Sequence, residues 1–109
     1  MLLLLLAACT GAAPEDTAVV VDPCVDAHDV TWVSFGDGFF STYCRACHSA
    51  ETQDRFGAPV GTDFDTLDQV RMFEVAIRRA AIEEETMPVG GGVYDDDLLL
   101  LGEFLSCGL

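Results

Sequence analysis

Residues 31–48 read Thr31-Trp32-Val33-Ser34-Phe35-Gly36-Asp37-Gly38-Phe39-Phe40-Ser41-Thr42-Tyr43-Cys44-Arg45-Ala46-Cys47-His48. Trp32, Gly36, Phe39, Phe40 and Tyr43 fall at i, i+4, i+7, i+8 and i+11, which places them on one face of a helix. Asp29 or Thr31 can cap its start, while Gly36 and Gly38 lower its intrinsic helicity. Directly behind this stripe come two cysteines and a histidine.

Cys44-Arg45-Ala46-Cys47-His48 has the C-x-x-C-H spacing of a c-type haem attachment signature. Two thiols held one helical turn apart can add to the two vinyl groups of a porphyrin. The adjacent imidazole then lies under the macrocycle, within reach of the iron. Five Cys and two His in 109 residues give about 0.004 expected chance matches, so the motif is specific. Two rival readings use the same residues. A redox pair needs a βαβ context that the chain lacks. A zinc site combining Cys44 and Cys47 with Cys24 and His28 fits more naturally in a reducing compartment. The expectation is one covalent haem c on Cys44 and Cys47, with His48 as an axial ligand.

Toward the C-terminus, a second helix is expected from Asp65 or Thr66, with Leu67, Val70, Phe73, Ile77 and Ala80 on one face through Ala81. Arg71, Arg78 and Arg79 lie mostly off that stripe. A third helix starts near Asp95, Asp96 and Asp97, whose charges suit the positive end of the helix dipole. It continues through Leu98, Leu101, Phe104 and Leu105 and stops at Gly108, a good C′ residue. Gly57, Pro59 and Gly61 mark one intervening loop, and Pro88, Gly90, Gly91 and Gly92 the other. No strand-like alternation persists and no repeat is present, so the class is all-α with three main helices.

A chain of 109 residues allows one domain. Half the residues are apolar, enough to bury a core and to exclude wholesale disorder. Nineteen acids against five Arg and no Lys give a net charge of −14. Such a surface repels phosphate backbones, which argues against nucleic acid binding. No apolar run reaches the roughly 18–20 residues of a membrane-spanning helix, so the body reads as soluble.

Residues 1–8 form an apolar stretch leading into Leu6-Ala7-Ala8-Cys9, followed by Thr10 and Gly11. This resembles the lipobox of a bacterial lipoprotein, which implies a signal peptide over 1–8 and lipidation of Cys9. The apolar run is short and lacks the basic residues that open such signals, as in a truncated signal with the true start upstream. Two acyl chains on Cys9 would hold the protein at a membrane surface. The expectation is export, to the periplasm or the outer membrane of a bacterium. Residues 9–23 carry no helical or strand period and read as a tether, leaving 24–109 as the folded domain.

The segment from Thr31 to Gly108 resembles the small bacterial class I c-type cytochromes. In that family a Gly and an aromatic residue stand eight and four positions before the first haem Cys; here they are Gly36 and Phe40. The axial Met of the family lies in a loop before the last helix, which bears an aromatic residue where it crosses the first. Here Met87-Pro88 precedes Gly90, Gly91, Gly92 and Tyr94, and Phe104 stands in the last helix. The resemblance implies a small cytochrome c fold around one haem. It also implies a loop carbonyl as acceptor for the second His48 nitrogen, and Pro59 occupies that place, with Val60 as its neighbour. A shorter His-to-Met interval and the absence of Lys separate this chain from mitochondrial-type relatives and leave its partner open.

An electron carrier needs a second strong-field ligand. Met87, in a Gly/Pro loop, is expected to supply it, with Met72 read as a helix packing residue and His28, which could compete as a second imidazole, read as a solvated or capping residue. Arg71, Arg78 and Arg79 are the pool for pairing with haem propionates, although Glu74 also suits Arg78 at i,i+4. Once Cys9, Cys44 and Cys47 are assigned as these resemblances imply, Cys24 and Cys107 remain. Should the terminal helices cross as in the family, their ends come near each other, and a disulfide is the default in an exported protein. Two buried free thiols are the alternative.

The functional expectation is a membrane-tethered monohaem cytochrome passing single electrons between exported redox partners, with no enzymatic activity. Its charge would steer basic partner surfaces toward it. A haem peroxidase or sensor, which needs an open iron position, and a haem-free zinc-binding lipoprotein are the alternatives.

Overall fold

The computed structural model describes Gly11, Val19, residues 21–27 and residues 29–109. The expected signal peptide over 1–8, the lipidation of Cys9, most of the tether and His28 lie outside the described residues. The described residues form helices and no strand, in the order of a π-helical segment Trp32–Gly36, α1 Asp37–Tyr43, α2 Leu67–Met72, α3 Glu74–Ile77, a second π-helical segment Arg78–Glu83, and α4 Asp95–Cys107. None of these helices is long and apolar enough to cross a membrane.

Thr31, not Asp29, caps the first helical segment. Its hydroxyl accepts from the Ser34 N–H at 3.1 Å, and the Ser34 hydroxyl accepts from the Thr31 N–H at 2.8 Å, a reciprocal capping box. Phe35 and Gly36 then both donate to the Thr31 carbonyl at 3.0 Å, which opens the segment to π spacing. Thr66 and Gln69 repeat the capping box at the start of α2.

The second helical stretch departs from expectation. Where one helix through Ala81 is expected, α2 ends at Met72, and Phe73 adopts φ −105°, ψ 12° before α3 begins. The break lets Phe73 meet Phe64 edge-on, with ring centroids 5.9 Å apart. Val70 and Ile77 still face the core, but Met72 is 76% exposed. The packing role expected of Met72 is therefore corrected: it stands two positions beyond Val70, which turns it roughly 200° away from the buried face.

The core is aromatic. Phe40 and Phe104 are fully buried with Leu101 and Val70, and Phe40 touches Trp32, Phe64 and Phe104 with centroid separations of 6.1, 5.7 and 6.4 Å. Gly36 makes this crossing possible. A Cβ there would sit 2.8 Å from Phe104 Cζ and 2.9 Å from Trp32 Cε3, inside contact distance of rigid rings. Gly108 ends α4 for a related reason, since its φ is −102° and a Cβ would collide with Phe104 and the Val30 carbonyl. Space, not the left-handed geometry of a usual C′ glycine, selects the residue.

Two further links tie the chain ends and helices. Cys24 and Cys107 form a disulfide with a Cα separation of 5.5 Å across 83 residues. Closing so long a loop stabilises a fold by about 2–4 kcal/mol, mainly by restricting the unfolded chain. Thiol titration of the protein, unfolded without reductant, is expected to find no reactive thiol at Cys24 or Cys107; two there would reject the bond.

Tyr43 donates its hydroxyl proton to Asp97 Oδ2 at 2.7 Å, joining α1 to the first turn of α4. That hydrogen bond to a carboxylate favours the neutral phenol and raises its pKa above the ordinary value. A raised folded-state pKa means that the contribution is complete below the unfolded value of about 10 and is lost as pH rises through the folded value. The stability advantage of the native chain over Tyr43→Phe in denaturant titrations should therefore shrink in strong alkali. An advantage that stays constant through tyrosine ionisation would show that the bond does not contribute.

Candidate functional site

The C-x-x-C-H segment forms a turn immediately after α1. Cys44 leaves the helix at φ −123°, ψ −41°, and its carbonyl accepts from the N–H groups of Cys47 at 3.1 Å and His48 at 2.9 Å. Cys44, Cys47 and His48 are thereby gathered on one turn, all half-buried. Both cysteines are free thiols. Burial pushes the Cys44 thiol up to about 12, the opposite of the lowered pKa that activates a redox cysteine.

His48 is fixed by two contacts. Its ring stacks on Phe64 with centroids 4.8 Å apart, and Nδ1 lies 2.8 Å from the Thr62 carbonyl oxygen. A carbonyl can only accept, so the proton sits on Nδ1 and the Nε2 lone pair is left for a metal. The acceptor expected at Pro59 is thus corrected to Thr62. The Pro59 carbonyl instead takes Arg55 Nη2 at 2.9 Å, because the loop folds back over Arg55 before it reaches the imidazole.

That loop, between His48 and Phe64, is closed at its base by the Phe64 N–H donating to the His48 carbonyl at 2.9 Å. Arg45, inside the motif, clamps its far side: Nε donates to the Phe64 carbonyl at 2.8 Å and Nη2 to Asp37 Oδ1 at 2.7 Å, with the guanidinium 5.5 Å from the Trp32 ring centroid. Asp65 receives the Ala50 N–H at 2.9 Å. Burial alone would raise its pKa, but the Ala50 N–H, the Ser49 hydroxyl and the Arg45 and Arg55 charges outweigh that and hold the carboxyl below its ordinary value. The loop interior is bound to Arg55, which donates to the carbonyls of Ser49, Ala58, Pro59 and Thr62 at 2.6, 3.2, 2.9 and 3.3 Å. Its Nη2 also lies 2.6 Å from Asp63 Oδ1, with the two side chains 13% and 10% exposed. The contact is an ion pair without an aligned hydrogen bond to that oxygen.

Arg71, Arg78 and Arg79 are each drawn to a carboxylate of the chain itself: Asp68 at 3.0 Å, Glu74 at 3.1 Å and Glu84 at 2.6 Å. Of these partners only Glu74 is expected from sequence. Arg78 also reaches Ser106 Oγ at 3.2 Å. The three guanidiniums thus have carboxylate partners already, which weakens their assignment to haem propionates. Met87 is 42% exposed and precedes three glycines with φ of 88°, 72° and 90°, a backbone that side-chain-bearing residues rarely adopt. Its N–H donates to the Ala80 carbonyl at 3.1 Å, folding the loop back on the second π-helical segment.

The donor set fits a covalently attached porphyrin: two unpaired thiols and an imidazole of fixed tautomer on one turn, backed by an aromatic wall. It fits zinc less well, since Cys24, one of the four residues of that alternative, is bound to Cys107. Arg45, Arg55, Thr62 and Phe64 complete the site, and sequence reasoning missed all four. Arg45 stands inside the motif, the one signal that could have found it. Comparison with family models, with curated proteins and with solved structures finds no match.

Proposed function

We propose that this protein is a monohaem c-type cytochrome with a small cytochrome c fold, carrying single electrons between exported redox partners at a membrane surface. The observation that carries the reading is His48, held by Thr62 with its Nε2 free, one residue after a pair of unpaired thiols. Crossing of the first helical segment with α4 at Gly36 and Phe104 supports the fold. Covalent haem c supplies an iron that cycles between two charges without leaving the protein.

The chain's own residues do the rest. Cys44 and Cys47 would hold the haem through thioether bonds and His48 would ligate its iron, while the Thr62 carbonyl orients that imidazole and raises its basicity. Lipid on Cys9 anchors the protein, and the acid excess favours basic partners.

Met87 would be the second iron ligand in this reading. With Met72 exposed, the choice between the two methionines rests on the Gly-rich loop and the likeness to class I cytochromes, so both must be tested. A visible and near-infrared spectrum of the exported, matured protein is the experiment. Haem c bands and a Met-to-iron band are expected, the latter lost in Met87→Ala and kept in Met72→Leu. Met87→Ala should also bind small exogenous ligands and show a lower potential. Absence of haem bands in the native protein rejects the cytochrome reading, and a Met-to-iron band that survives Met87→Ala places the ligand elsewhere. A native protein that itself binds exogenous ligands would favour the peroxidase or sensor alternative.

A further inference from the structure

Thr62 contributes one carbonyl to two donors. His48 Nδ1 lies 2.8 Å from its oxygen, and Arg55 Nη2 lies 3.3 Å from the same atom. Arg55 is in turn paired with Asp63 at 2.6 Å, and Asp63 is 7% exposed. A full positive charge, a full negative charge and the histidine's acceptor are therefore packed together on the side of the imidazole away from Nε2.

We propose that Arg55 and Asp63 are positioning residues which set the electron affinity of the metal through His48. The inference rests on the cytochrome reading and deepens it. Two physical effects act in one direction. The guanidinium competes with His48 for the Thr62 oxygen, so it weakens the Nδ1–H···O bond and makes the imidazole a poorer donor. Its charge, little screened at 13% exposure, also disfavours the more positive iron state. Both effects favour the reduced form, and Asp63 opposes them by neutralising Arg55. The pair is a balance: removing either member tips the potential in a predictable direction.

The test uses matured holoprotein and spectroscopic redox titration. Arg55→Gln is expected to lower the midpoint potential and Asp63→Asn to raise it. At the native midpoint the reduced-to-oxidised ratio should change about tenfold, equivalent to about 59 mV for one electron. Arg55→Lys, which keeps the charge, should remain closer to the native value than Arg55→Gln. In the reduced protein the His48 Nδ1 proton should exchange more slowly in Arg55→Gln, where the Thr62 oxygen is no longer shared. Shifts of the same sign in Arg55→Gln and Asp63→Asn would indicate loosening of the loop and overturn the proposal. If Arg55→Gln fails to mature, Asp63→Asn decides alone, and an unchanged potential overturns the proposal. Native protein without covalent haem defeats the cytochrome reading itself, whereas haem-loaded variants with native potentials defeat only this inference.

Discussion

His48→Ala and Cys47→Ala are each expected to reduce covalent haem on a denaturing gel well below the native level. In His48→Ala the imidazole proposed to ligate the metal is gone, together with its stack on Phe64 and its bond to Thr62. In Cys47→Ala one of two thioethers cannot form. The two substitutions fail for different chemical reasons at neighbouring positions, so their joint failure is more informative than either alone. Cys24→Ser with Cys107→Ser is the control. It removes the disulfide and about 2–4 kcal/mol of stability but touches neither the motif nor its loop, and it should retain covalent haem under conditions where it folds. Haem staining at the native level in both His48→Ala and Cys47→Ala would end the assignment. Loss in the control at permissive temperature would mean that staining reports folding and not attachment.

Phe104→Ala is expected to cost about 3–5 kcal/mol, a large share of the 5–15 kcal/mol typical of a small domain. Phe104 is fully buried and lies against Trp32, Phe35 and Phe40 with centroids 6.4, 6.1 and 6.4 Å away. Deleting its ring leaves a cavity that stiff aromatic neighbours cannot fill. The reciprocal change, Gly36→Ala, overpacks the same point and costs about 1–3 kcal/mol, because the new methyl meets Phe104 Cζ at 2.8 Å. The two changes should couple: in Phe104→Leu the Gly36→Ala penalty shrinks, since a shorter, flexible side chain can yield to the methyl. Strictly additive costs in denaturant titration would show that Gly36 and Phe104 do not share the crossing.

The local code of this chain is explicit where a short segment carries its own physical reason. Trp32, Phe39 and Phe40 recur at helical spacing, Asp95 to Asp97 complement a helix dipole, and five consecutive residues from Cys44 to His48 hold two thiols and an imidazole in one turn. Each of these can be read from neighbours in sequence because the interactions involved span a turn or two of backbone. The break at Phe73 is different, since it serves a ring contact with Phe64 nine positions earlier, and it leaves Met72 outside the core. Thr62 replaces Pro59 as the acceptor for His48 because Arg55 gathers four carbonyls and one carboxylate inside the loop. No local pattern encodes which carbonyl of a folded loop ends beside an imidazole; that depends on closure of the whole loop around one buried charge. Which thiols and imidazole share one turn was thus readable in the sequence, and the shell that orients them was decided by tertiary packing, where distant groups compete for the same few polar atoms.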